Sequence, residues 1–110
     1  VRYCLKNPLA VRKPPEKNKQ VPVKPVSLGR TVATPAVLNA VPFLDIMIAM
    51  EHHKRHDWGD VCEADWKEND RALKTGERLL SAYKSGSGTK FWIITEWDRS
   101  VTTVLLPSDY

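Results

Sequence analysis

Three apolar segments close the chain, and the turns between them are too short to let the strands run any way but antiparallel. Leu79–Lys84, Lys90–Trp97 and Ser100–Pro107 are rich in aromatic and β-branched residues. Ser85-Gly-Ser-Gly88 joins the first two, and Asp98-Arg99 the next two. Connections of this length specify hairpins, so the three strands form a meander. A lone three-stranded meander cannot bury a core. The residues upstream must therefore supply helices that cover one of its faces.

The upstream sequence carries helix signals. Thr34-Pro35 reads as an N-cap followed by proline at the first helical position, where its missing N–H costs nothing. That helix is brief, because Pro42 interrupts it. A second helix starts at Pro42, with Phe43, Ile46, Met47 and Met50 at i, i+3, i+4 and i+7 and with Leu44 and Ile48 widening the stripe. It is expected to end between His52 and His56, with Gly59 as a stop. A third helix opens with Asp60 as cap and Glu63 completing the box, places Trp66, Asn69 and Leu73 on one face, and closes at Gly76. Before all of these, Leu28–Ala33 reads as a short extended piece.

Charge divides the chain in two. Residues 1–30 hold eight Lys/Arg against one acid, a net of +7, while residues 31–110 hold nine against twelve, a net of −3. Five of the eight prolines lie in residues 1–27. That stretch has little apolar surface to offset the entropy of ordering, and is expected to be a disordered basic arm with polyproline II character. The fold class expected is thus α+β: helices packed on a three-stranded antiparallel meander in a single domain over 28–110, preceded by the arm over 1–27. Arg12, Lys13, Lys17, Lys19 and Lys24 of the arm are the candidate nucleic-acid contacts, since they neutralise phosphates and release counterions.

No segment has the roughly 20 apolar residues of a transmembrane helix. No continuous apolar stretch of signal-peptide type follows the first basic residues either. A cytoplasmic protein with no membrane partner is expected. The two cysteines, Cys4 and Cys62, fit that expectation, because a disulfide from the arm would staple little.

The C-terminal part is similar to a known group. Arg78-Leu-Leu-Ser-Ala-Tyr83, Gly88-Thr-Lys-Phe-Trp-Ile-Ile-Thr-Glu96, Asp98-Arg-Ser-Val-Thr-Thr-Val-Leu-Leu-Pro107 and Asp109-Tyr110 carry the likeness. So do Val32-Ala-Thr-Pro35, His53 with Asp57-Trp58-Gly59, and Asn69. Over about residues 28–110 the chain resembles an uncharacterised bacterial family from plasmids, phages and integrated elements, often called plasmid-related protein. It departs from that family at His56, where glycine is usual, and at Glu96-Trp97-Asp98, where the family has an acid-Ala-Asp turn. The resemblance implies the genomic setting of a mobile element and no settled chemistry.

Candidate chemistry rests on few side chains. His52 and His56 are four apart and would share a helix face, with Asp57, Asp60 or Cys62 as a third metal ligand. A solvated helix end is the plainer explanation, and neither metal nor cofactor is expected. His53 beside Asp57-Trp58-Gly59 is a candidate general base or acid. Alternation puts Ser81 and Tyr83 on one strand face, with Thr95 and Thr102 as same-face neighbours. If that face is open, Tyr83, Arg78 and Arg99 are available to bind a phosphate and move a proton without metal.

Three functions follow. The first is an accessory protein of a mobile element that binds nucleic acid through the arm, or binds a host or element-encoded protein, without catalysis. The second is a metal-independent endoribonuclease of barnase- or RelE-like architecture, with His53, Arg78, Tyr83 and Arg99 as catalytic residues; this is an analogy of fold alone. The third is an inhibitor of a host defence nuclease, in which the acidic body competes for a basic groove.

Overall fold

The computed structural model describes residues 24–110. Arg12, Lys13, Lys17 and Lys19 lie outside the described residues, while Lys24 is described and exposed. The elements in chain order are β1 (Arg30–Ala33), α1 (Pro35–Ala40), α2 (Phe43–Lys54), α3 (Glu63–Thr75), β2 (Leu79–Lys84), β3 (Lys90–Thr95) and β4 (Val101–Leu105). A short 3-10 turn, Pro107–Asp109, ends the chain. None of the described helices is long and apolar enough to cross a membrane.

The α+β class holds, and β2, β3 and β4 form the antiparallel meander that their turns require. The sheet itself is larger than expected. It has four strands in the order β1-β4-β3-β2, and β1 runs parallel to β4. The expected three-stranded antiparallel meander is therefore part of a mixed sheet, and the helices lie between strands rather than ahead of them. The reason is physical. β4 would be an open edge, and the extended residues before α1 satisfy it, with Arg30 N–H donating to Ser100 O (2.9 Å) and Thr34 N–H to Val104 O (3.0 Å). Gly29 permits the approach: its φ is +63°, and a Cβ there would sit 2.3 Å from Ser100 O.

Register assigns the two faces. Leu79, Ser81, Tyr83, Phe91, Ile93, Thr95, Thr102 and Val104 share one face by pairing and alternation. Val37 and Val41 of the α1 segment and Ile46 and Ala49 of α2 pack there against Phe91, Ile93 and Val104. On the second face Leu80, Ala82, Trp92, Ile94 and Leu105 cluster with Trp66 and Ala72 of α3 and with Trp58 and Val61 of the α2–α3 connection. Val26 joins this cluster, and its N–H donates to Lys54 O, so the packed body begins before residue 28.

Local signals explain most helix ends. Thr34 Oγ1 accepts from Val37 N–H and Pro35 opens α1. Gly76 ends α3 in the left-handed region at φ +78°. Two expectations are corrected. Asp60 does not cap α3; its N–H donates to Ala82 O beside the Gly59–Ala82 bridge, and Cys62 holds the cap position with no capping hydrogen bond from its side chain. The inward face of α2 is Ile46, Ala49 and His53, so Phe43 and Met47 of the expected stripe point outward, with Leu44 and Ile48.

The edge of β2 is closed in an unusual way. Asn69 on α3 offers both ends of its amide to Leu80, with Nδ2–H donating to Leu80 O (2.7 Å) and Leu80 N–H donating to Oδ1 (3.1 Å). One side chain thus stands in for a neighbouring strand. Gly59 bridges Ala82 two residues further along.

Candidate functional site

A cleft of about 300 Å³ opens between α2 and the β2–β3 hairpin. Asp45 and His52 come from α2, Asp57 and Asp60 from the α2–α3 connection, and Tyr83 and Lys84 from the end of β2. His52 Nδ1 lies 3.1 Å from Asp57 Oδ2. The other oxygen of Asp57 accepts from Gly59 N–H at 3.2 Å, and Tyr83 donates its hydroxyl to the Asp57 carbonyl at 2.7 Å. Asp57 is thereby fixed. It holds the proton of His52 on Nδ1 and leaves Nε2 as the basic atom, without a partner among the described residues. Across the cleft, Asp45 Oδ2 accepts from Gly86 N–H at 3.0 Å.

The backbone of the connection explains this layout. Gly59 has φ +76°, and a Cβ on it would lie 2.0 Å from Ala82 O, so glycine alone fits. His56 also takes a left-handed conformation, at φ +71°. That conformation costs a residue with a Cβ about 1–2 kcal/mol. Here the imidazole compensates by stacking on Trp58, with centroids 5.7 Å apart and planes 5° from parallel, and by meeting Lys24 O through Nε2 at 3.0 Å.

His53 occupies a different place from its neighbour. One residue along a helix is a rotation of about 100°, which takes it from the cleft to the interior. It is wholly buried, with its ring edge against Trp58 at 5.4 Å. Nδ1 meets Ser81 Oγ at 2.5 Å and Nε2 meets Thr95 Oγ1 at 2.8 Å. Thr95 Oγ1 lies 2.8 Å from Thr102 Oγ1, which donates to Leu28 O at 2.7 Å. Proton counting fixes the direction of this chain. Thr102 spends its hydrogen on a carbonyl, so Thr95 must donate to Thr102. Thr95 must then accept from His53 Nε2–H, and Ser81 must donate to Nδ1. The imidazole is neutral, and burial, aided by the charges of His56 and Arg99, depresses its pKa to about 3.

The four catalytic candidates do not converge. His53 is sealed beneath α2. Tyr83 borders the cleft, but its hydroxyl is engaged and burial raises its pKa. Arg78 donates to the Tyr110 hydroxyl (2.7 Å) and faces Glu96 at 3.6 Å. Arg99, at φ +61°, donates to the carbonyls of Ala72, Glu77, Glu96 and Trp97, tying the end of α3 to the β3–β4 turn. Arg78 stands at the opposite end of β2 from the cleft, five residues from Tyr83, or roughly 17 Å along an extended strand. The polar sheet face expected to be open is the one packed under α1 and α2, with Ser81, Thr95 and Thr102 buried.

His52 and His56 do not share a site either. α2 ends at Lys54, and the turn at His56 sends the two rings to Asp57 and to Trp58 respectively. Among the described residues no three His, Cys, Asp or Glu side chains group to hold a metal ion. The residue that sequence reasoning passed over as an acid or base is His52. The signal was its spacing of five from Asp57 across a helix end. No family model, no curated protein and no solved structure matches this chain.

Proposed function

We propose that this chain is a small accessory protein of a mobile genetic element that binds nucleic acid through the basic arm, residues 1–27, and does no chemistry on it. The observation that carries this reading is the separation of charge, +7 on residues 1–30 against −3 on residues 31–110. The body supports it from the other side. Its cleft is walled by Asp45, Asp57 and Asp60 with Lys84 as the cation, a setting that repels phosphate. The mobile-element setting rests on the resemblance of residues 28–110. The test is a gel shift of labelled RNA and duplex DNA by the full-length protein in EDTA. Retardation is expected at 50 mM salt, with affinity falling about 10³-fold by 200 mM if six or more phosphates are neutralised. Lys13→Glu with Lys17→Glu and Lys19→Glu should weaken it at the lower salt. Absence of a shift at 50 mM would reject this reading and turn the search to a host protein, including a defence nuclease.

One observation favours a second reading, a metal-independent endoribonuclease. The His52–Asp57 pair is built like a general base with its orienting carboxylate. It lacks a converging pair of cations, since Arg78 and Arg99 bind elsewhere. Cleavage of the RNA on the same gel, lost in His52→Ala, would put this reading first.

A further inference from the structure

We infer that the outer face of α1 and α2 is an interface between two copies of this chain. α2 is apolar on both sides. Ile46 and Ala49 face the sheet, while Phe43, Leu44, Met47 and Ile48 point away from it and are 65%, 66%, 51% and 48% exposed. Leu38 of α1 adds a fifth large side chain, 51% exposed. The Phe43–Met50 stretch of α2, apolar except for Asp45, is of the kind normally buried on both sides. Five such residues present on the order of 500 Å² of side-chain surface, at the upper end of the largest apolar patch a monomer shows, and such patches are often functional. Two copies of the face, with their borders, approach the roughly 1,200–2,000 Å² of a stable interface.

Charge selects the occupant. The chain is +4 overall, so two copies repel except where they meet on neutral surface. Between Phe43 and Met50 the single charged residue is Asp45, and it is drawn to the flank by the Gly86 amide. The C-terminal border of the face carries both signs, with Glu51 paired to Lys54 at 2.9 Å and to Arg55 at 3.8 Å. A strongly charged partner finds no complement here. A second copy finds a neutral centre and a mixed border that matches itself across a two-fold axis. Crossing two α2 helices antiparallel also opposes their dipoles.

Sedimentation equilibrium of the full chain, without nucleic acid, tests this independently of the proposed function. Twice the 12.5 kDa chain mass is expected at micromolar concentration. Leu44→Asp and Ile48→Asp, both at exposed positions, should each raise the dissociation constant at least about 100-fold and leave the circular dichroism melt of the isolated monomer cooperative. Trp97→Ser, which removes an exposed aromatic elsewhere, should leave the dimer intact. Wild-type protein that stays at chain mass up to about 100 μM would overturn the inference and leave the face to another protein or to residues 1–23. A dimer untouched by both aspartate variants would overturn it as well.

Discussion

Burying His53 makes the fold sensitive to acid. The unfolded imidazole titrates near 6.5 and the folded one near 3, because the charged form is excluded from its buried site. Between those values the unfolded chain binds a proton that the native chain refuses. The stability tied to neutral His53 is complete above pH 6.5 and is lost as pH falls toward 3, at about 1.4 kcal/mol per unit. His53→Gln keeps a donor for Thr95 and an acceptor for Ser81 but has nothing to titrate. Urea unfolding at pH 7 and pH 5 should therefore show wild type losing about 2 kcal/mol more than the variant. Equal losses would mean that the folded imidazole accepts its proton readily. This residue also shows where sequence reasoning about the site stopped. Alternation placed Ser81, Thr95 and Thr102 together, but three polar side chains on one face suggest solvent unless a polar partner covers them. His53 is that partner, and it sits 28 and 42 residues away in sequence from Ser81 and Thr95.

At the level of elements, what was legible was what a few adjacent residues decide. Thr34-Pro35, Gly76 and the two hairpin turns act locally, and each did what its chemistry requires. The extended piece that became β1 was legible, but its place in the sheet was not, because four exposed or half-exposed residues show little alternation and its partner β4 lies about 70 residues on, with no turn to announce it. The outward face of α2 was hidden because apolar periodicity cannot rank two apolar sides. Asn69 was visible as a helix residue beside Trp66, yet nothing in the sequence says that its amide would close a sheet edge. That function gives it a sharp test. Asn69→Leu keeps the volume and removes both bonds, leaving the buried N–H and C=O of Leu80 without their partner. The loss should be about 2–4 kcal/mol in denaturant unfolding. A cost below about 0.5 kcal/mol would mean that water or a shifted backbone replaces the amide.

Across the whole molecule the hydrogen-bonded chain from Ser81 to Leu28 links parts of the sequence that nothing local connects. It starts on β2, passes through α2, crosses β3 and β4, and ends on the carbonyl just before Gly29 and β1. Each hydroxyl has one hydrogen, so the order of donors is set from the carbonyl end. Thr102→Val keeps the shape but removes the acceptor of Thr95, whose hydroxyl is then free to turn. The tautomer of His53 is no longer dictated, and the bond from Ser81 loses its fixed direction. Cutting one end should thus lower the cost of cutting the other. In a double-mutant cycle with Ser81→Ala, the two changes should be sub-additive by at least about 0.5 kcal/mol, although Ser81 and Thr102 share no contact except through His53 and Thr95. Additivity within about 0.3 kcal/mol would show four independent bonds in place of one ordered chain. Sub-additivity would make the buried imidazole the point at which the meander, the second helix and the N-terminal strand are held to a single arrangement.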